Sequence, residues 1–150
     1  MWFMTNRIAD SRSGLELKFF RATMVFAVAL ALHAADHFRR GMDVIPPAVM
    51  MAGNIQIVAA AVTLALVLRR NRWAPHAAVT LGLTSAVGFG AAHLLPRWGP
   101  LSDSFINPVA GSGVTWFSWV TAVGEIGSAL AMATAGIAFL RAASPRRSVA

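Results

Sequence analysis

Charged and apolar positions fall in long blocks along the chain. No formal charge occurs from Val44 to Leu68, between Asp43 and Arg69, or from Trp73 to Pro96, between Arg72 and Arg97. A membrane-spanning helix needs about 20 predominantly apolar residues, and both runs exceed that. Two further runs are less clean. Ala22 to Ala35 is charge-free but covers only about 21 Å as a helix at about 1.5 Å per residue, short of a hydrocarbon core of about 30 Å. Extension to Phe19–Phe38 supplies the length and takes in Arg21, His33, Asp36 and His37. Arg21 can snorkel to an interface. The last run, Val114 to Leu140, suits a tilted helix and carries Glu125 near its middle.

These blocks predict an all-α integral membrane protein. Residues 1–150 are expected to form one four-transmembrane-helix bundle, with spans near 19–38, 46–68, 75–95 and 114–140. Pro46, Pro47 and Pro75 suit helix starts, where a missing N–H costs nothing, and Pro96 cannot continue the third helix. Trp73, Trp98, Trp116 and Trp119 fall near span ends, where amphipathic rings favour the headgroup zone. Arg and Lys set the direction. Arg7, Arg12, Lys18, Arg21, Arg69, Arg70, Arg72, Arg141, Arg146 and Arg147 lie on one side, against Arg39, Arg40 and Arg97 on the other. The positive-inside rule places the first group, and both termini, in the cytoplasm.

Residues 1–14 lack the order of a cleaved secretory signal. Residues 142–150 read as a short basic tail drawn to an anionic inner leaflet. The stretch from Pro96 to Gly113 is the longest connection, of a length that often carries function.

Composition narrows the classes. Apolar residues make up 57% and charged ones 13%, against about 45–50% and about 25% in soluble domains; a water-soluble globule and a disordered chain are both excluded. The absence of Cys removes disulfide scaffolds, Fe–S clusters and thiol nucleophiles. A net charge of +7 is not a nucleic-acid signature here, because the basic residues mark span ends and do not gather on one face. The partner it does imply is the lipid bilayer, with other membrane subunits or a second copy as further candidates. Abundant Ala and Arg suit GC-rich bacterial coding and hence a bacterial inner membrane.

Polar residues inside the spans carry the candidate chemistry. His33, Asp36 and His37 stand at i, i+3 and i+4 and share a helix face; two His at i, i+4 is metal-ligand spacing. Alternatively Asp36 pairs with Arg39 or Arg40 among the headgroups. His93 sits three residues before Pro96 and shares a face with Gly82, Ala86 and Gly90, a small-residue stripe that lets membrane helices approach closely. This predicts packing of the third helix on the first. His76 lies at the opposite end and reads as interfacial.

Glu125 forms a stripe with Ser118, Thr121 and Ser128, and an ionisable residue within a span is by default a functional-site hypothesis. Asn54 and Gln56 complete the expected polar pocket, with the histidines near its mouth and Glu125 at its floor.

Three functions fit. The leading one is an accessory or ligand-binding membrane subunit. The second is a transition-metal site on His33, His37 and His93, with Asp36 as a further ligand or support, or a haem b held by one first-helix His and His93 with Arg40 and Arg97 near its propionates. The third is a small membrane enzyme acting on a lipid or isoprenoid-like substrate, with Glu125 and His33 as acid and base.

Overall fold

In a computed structural model of the protein the backbone is described for residues 2–143 and side chains from residue 13 onward. The side chains of Arg7 and Arg12, and the basic tail from residue 144, lie outside the described residues. The described residues form α1 (Trp2–Arg40), α2 (Pro47–Leu68), α3 (Ala74–His93) and α4 (Trp116–Ala143), with a 3-10 turn at Met42–Val44 and no strand. The first helix starts well before the expected Phe19. Leu15, Glu16, Leu17 and Lys18 are strong helix formers, and no proline interrupts them.

Local chemistry explains the breaks. Gly41 takes φ +96, where a Cβ would lie 2.7 Å from Asp43 Oδ1, and its N–H donates to the His37 carbonyl at 3.1 Å. That left-handed glycine ends α1. Pro47 opens α2 and Pro75 lies in the first turn of α3. Between these two helices Arg70 adopts φ 50, and Asn71 Oδ1 accepts from the Trp73 N–H at 2.9 Å. Past His93 the chain folds back on the end of α3. Asp103 N–H donates to Ala92 O at 3.0 Å and Phe105 N–H to His93 O at 2.9 Å, satisfying carbonyls that a helix end leaves unpaired.

The helices close a ring. α4 packs along both α3 and α1, while α2 packs on α3 and more lightly on α1. α1 and α3 therefore face each other across one diagonal, and α2 and α4 across the other. This corrects the expected role of the small residues in α3. Gly82 lies against α4, where a Cβ would stand 2.5 Å from Ala129 O, and Gly136 of α4 answers it against Val79 and Pro75. A Cβ at Gly90 meets nothing within 4 Å.

The interior is apolar at the end holding the α2–α3 turn, where Phe19, Phe26, Leu81, Ala129 and Met132 pack together. At the other end, beneath residues 94–115, it is polar. Outward faces run the opposite way. Val25, Val28, Val58, Val62, Val87 and Val123 are more than half exposed, whereas His33, Asp36, His93, Ser118 and Glu125 are buried. Among the described residues α2 and α4, with mean hydropathy 2.0 and 1.6, are long and apolar enough to cross a membrane. α3 falls short of that apolarity. α1 carries Arg21, His33, Asp36 and His37, and α3 is largely Ala, Gly, Thr and Ser.

Candidate metal centre

His33 and His37 project from successive turns of α1, and His93 is the last residue of α3. Across the bundle diagonal the three rings meet. Their centroids lie 4.6 Å (His33–His37), 4.9 Å (His33–His93) and 5.9 Å (His37–His93) apart. One ring nitrogen from each can be chosen so that all three lie within 4.8 Å of one another. His33 is 2% exposed and His93 1%. Both ring nitrogens of His33, and Nδ1 of His37, are buried without a hydrogen-bond partner.

His93 is held from behind. Its Nδ1 lies 3.0 Å from the Asp103 carbonyl oxygen and 3.6 Å from Asp103 Oδ2, which turns Nε2 away from the loop. A carbonyl or carboxylate behind one ring nitrogen is the support that metal-ligating histidines ordinarily have. Arg40 in turn grips the Asp103 carboxylate with two hydrogen bonds, of 2.6 Å and 2.7 Å, and donates Nε–H to Ser112 O at 2.9 Å. Burial pushes the Asp103 carboxyl up, but the Arg40 hydrogen bonds and charge outweigh it and hold the group below its ordinary value. Phe105 lies against His93 at a tilt of 35°, with centroids 4.5 Å apart. Its ring also lies 5.2 Å from the Arg40 guanidinium carbon.

The other expected site residues are distributed differently. Asp36 is fully buried, and its Oδ1 accepts from Arg39 Nε at 2.9 Å and Nη2 at 2.7 Å. Arg39 also reaches Ser118 Oγ at 3.2 Å and Gly113 O at 2.9 Å. Asp36 thus belongs to the seam with α4 and not to the three-histidine group. On the second diagonal Gln56 Nε2 donates to Glu125 Oε1 at 2.8 Å, while Glu125 Oε2 is buried without a partner. Thr121 and Ser128 direct their hydroxyls to carbonyls of α4 itself, Ser118 O and Glu125 O. Asn54 is exposed and lines a shallow groove with Met42, Asp43 and Met50. Two residues along a helix is a turn of about 200°, so Asn54 and Gln56 cannot both face inward.

His76 is exposed and rests against Trp73, centroids 5.4 Å apart. The haem arrangement does not fit. The histidine rings already touch one another, with no slot between them for a macrocycle, and Arg40 is engaged by Asp103. Arg97 is exposed.

The Asp103–Arg40 link was not among the expected site residues. Its one sequence signal is that Asp103 is the sole acidic residue between Leu94 and Thr115.

A cavity of about 240 Å³ adjoins the centre between α1, α2 and α3. His33, His37 and His93 form one wall, and Gln56 supplies a further polar group in a lining that is otherwise apolar. No known family model, curated protein or solved structure matches the chain.

Proposed function

We propose that this protein is a four-span bundle of a bacterial inner membrane, with both termini cytoplasmic, that binds a first-row transition-metal ion on His33, His37 and His93. The observation that carries the reading is the convergence of three imidazoles from two helices, His33 and His93 buried and His37 half-buried. The nitrogens of His33 have no protein partner, and a buried polar group left unpaired costs about 1–3 kcal/mol. A metal ion bound to one of them offsets part of that cost. Three imidazole ligands with a fourth position open is the donor set of catalytic zinc sites, and imidazole also suits copper, iron and nickel. Asp103 supports His93 from the loop side, and Arg40 fixes Asp103.

Membrane placement draws on the inverted distribution of polarity. Exposed valines on all four helices surround buried His, Asp, Ser and Glu, the reverse of a water-soluble bundle. The spans on α1 and α3 then bury their polar residues against neighbouring helices, as ionisable groups in a membrane do. The direction follows from the Arg and Lys asymmetry. Reporter fusions at Ala150 and within Ser102–Asn107 test it: cytoplasmic signal at Ala150 and periplasmic signal in the loop are expected, and the reverse overturns the orientation.

Metal analysis of detergent-purified protein tests the centre itself. A stoichiometric ion that disappears in His33→Ala supports the reading, and a metal content that ignores His33 refutes it.

A further inference from the structure

The cavity beside the histidines is a slot of definite size and polarity. We infer that it admits a neutral, ring-sized lipophile bearing a hydroxyl, a phenol or the head of a membrane quinol, with the hydroxyl oxygen at the three-histidine wall. The inference rests on the metal reading, since the hydroxyl oxygen would take the coordination position that three imidazoles leave open.

Size comes first. An apolar cavity of about 150 Å³ holds a benzene molecule. The present one, about 240 Å³ and open on one side, has room for a single substituted six-membered ring beside the histidines. Shape agrees with size. Gly53 of α2 and Gly88 of α3 both line the cavity, and a Cβ at either would meet no atom within 4 Å. Each leaves a stretch of bare backbone wall.

Polarity selects the class. Apart from the histidines and Gln56 the lining is Leu, Val, Ala, Ile, Gly, Phe and Trp, with no charged side chain. An ammonium would find no counter-ion there and would face the charge of the metal ion, and burying an unpaired charge is costly. A hydroxyl oxygen needs one polar partner, and the coordination position that the three imidazoles leave open supplies it. The rim agrees with entry from a bilayer: Ile57, Trp98 and Leu101 line the cavity while remaining 46%, 51% and 43% exposed.

Cobalt(II) makes the site visible, because its d–d bands respond to a fourth ligand. Full-length protein is loaded with Co(II), its metal content measured, and 4-methylphenol or 4-decylphenol added. A saturable band shift is expected, weakened about tenfold or more in Gly53→Leu and Gly88→Leu, whose side chains occupy the slot that a ligand of this kind requires. Both variants are expected to retain the metal, and either one that does so reads the result. A shift with both phenols identifies the ring alone as sufficient, and a shift with the decyl compound only identifies a tailed membrane lipophile; each supports the inference. One equivalent of Co(II) with no shift from either phenol overturns the inference and leaves the metal centre standing. A shift of undiminished affinity in metal-retaining Gly53→Leu or Gly88→Leu also overturns it. Failure of the wild-type protein to bind Co(II) overturns the metal reading and this inference with it.

Discussion

The two ends of the bundle are assembled from the same four helices by different means. At the end holding the α2–α3 turn, Phe19, Phe26, Leu81 and Met132 fill the space between closely packed Ala and Gly positions. Gly82 and Gly136 let α3 and α4 come nearly backbone to backbone. At the loop end the interior is polar: Gln56–Glu125 joins α2 to α4, Arg40–Asp103 joins α1 to the loop, and Arg39, paired with Asp36 on α1 itself, reaches Ser118 of α4. Close packing at Gly82 leaves no room even for a Cβ, and a buried polar network requires each partner. The apolar end therefore reads as the scaffold, and the polar end as the part of the molecule arranged around a ligand.

The sharpest way to break this contrast is to remove one partner at the polar end. Asp103→Ala leaves Arg40 buried without its carboxylate, and breaking a buried pair costs about 3–5 kcal/mol. Denaturation in detergent is expected to show a loss of that order, together with weaker metal retention, because His93 loses its carboxylate neighbour. Acid should do the same in steps. Asp103 has its folded-state value held down, so its stabilisation is fully present above the ordinary carboxylate range, near 4, and is lost as pH falls through the lower folded value. Wild type should be flat in this respect from neutral pH to about 5 and lose stability below about 4. Asp103→Asn should lose that component of the acid sensitivity, and an unchanged acid limb would count against the pair.

At the apolar end, Gly82→Leu forces a side chain against Ala129 O and Ala133. Overpacking of this kind costs about 1–3 kcal/mol, visible as a lower melting temperature. Gly90→Leu on the same helix should not show that loss, since a Cβ there meets nothing within 4 Å. Equal destabilisation by the two would mean that α3 packs on a different face.

The Gln56–Glu125 pair distinguishes an amide partner from an acid. Glu125→Gln keeps a hydrogen-bonding group beside Gln56 and should change stability little. Glu125→Leu strands the Gln56 amide and should cost about 1–3 kcal/mol. The smallest effect is expected at Asn54→Ala, within about 0.5 kcal/mol for a surface site without such features. A larger loss would return Asn54 to the interior.

Much of the helical plan was legible because charge-free blocks and prolines act locally. Pro47 and Pro75 fall in the first turns of α2 and α3, and the α2–α3 turn lies among the charges at 69–72. The meeting of His33, His37 and His93 was partly legible, since their distances from the helix ends place them in one layer. Depth alone gives no azimuth, however. It grouped Asn54 with the histidines although that residue faces outward. It also could not foresee that Gly82 serves α4 and not α1, because a stripe of small residues says that a helix is approached and not by which neighbour. Asp103 was hidden for another reason: its place depends on a connection folding back onto the end of α3, a tertiary event with no periodic signature.

The polar end is proposed to be arranged around a metal ion. The most direct test is the metal-to-protein ratio of detergent-purified protein from cells supplied with zinc and copper, measured for wild type, His33→Ala and Asp36→Asn. With three imidazoles as the ligand set, about one ion per chain is expected in wild type and Asp36→Asn, and less than about a tenth in His33→Ala. A wild-type protein free of metal, or a His33→Ala variant that retains its full complement, would contradict it.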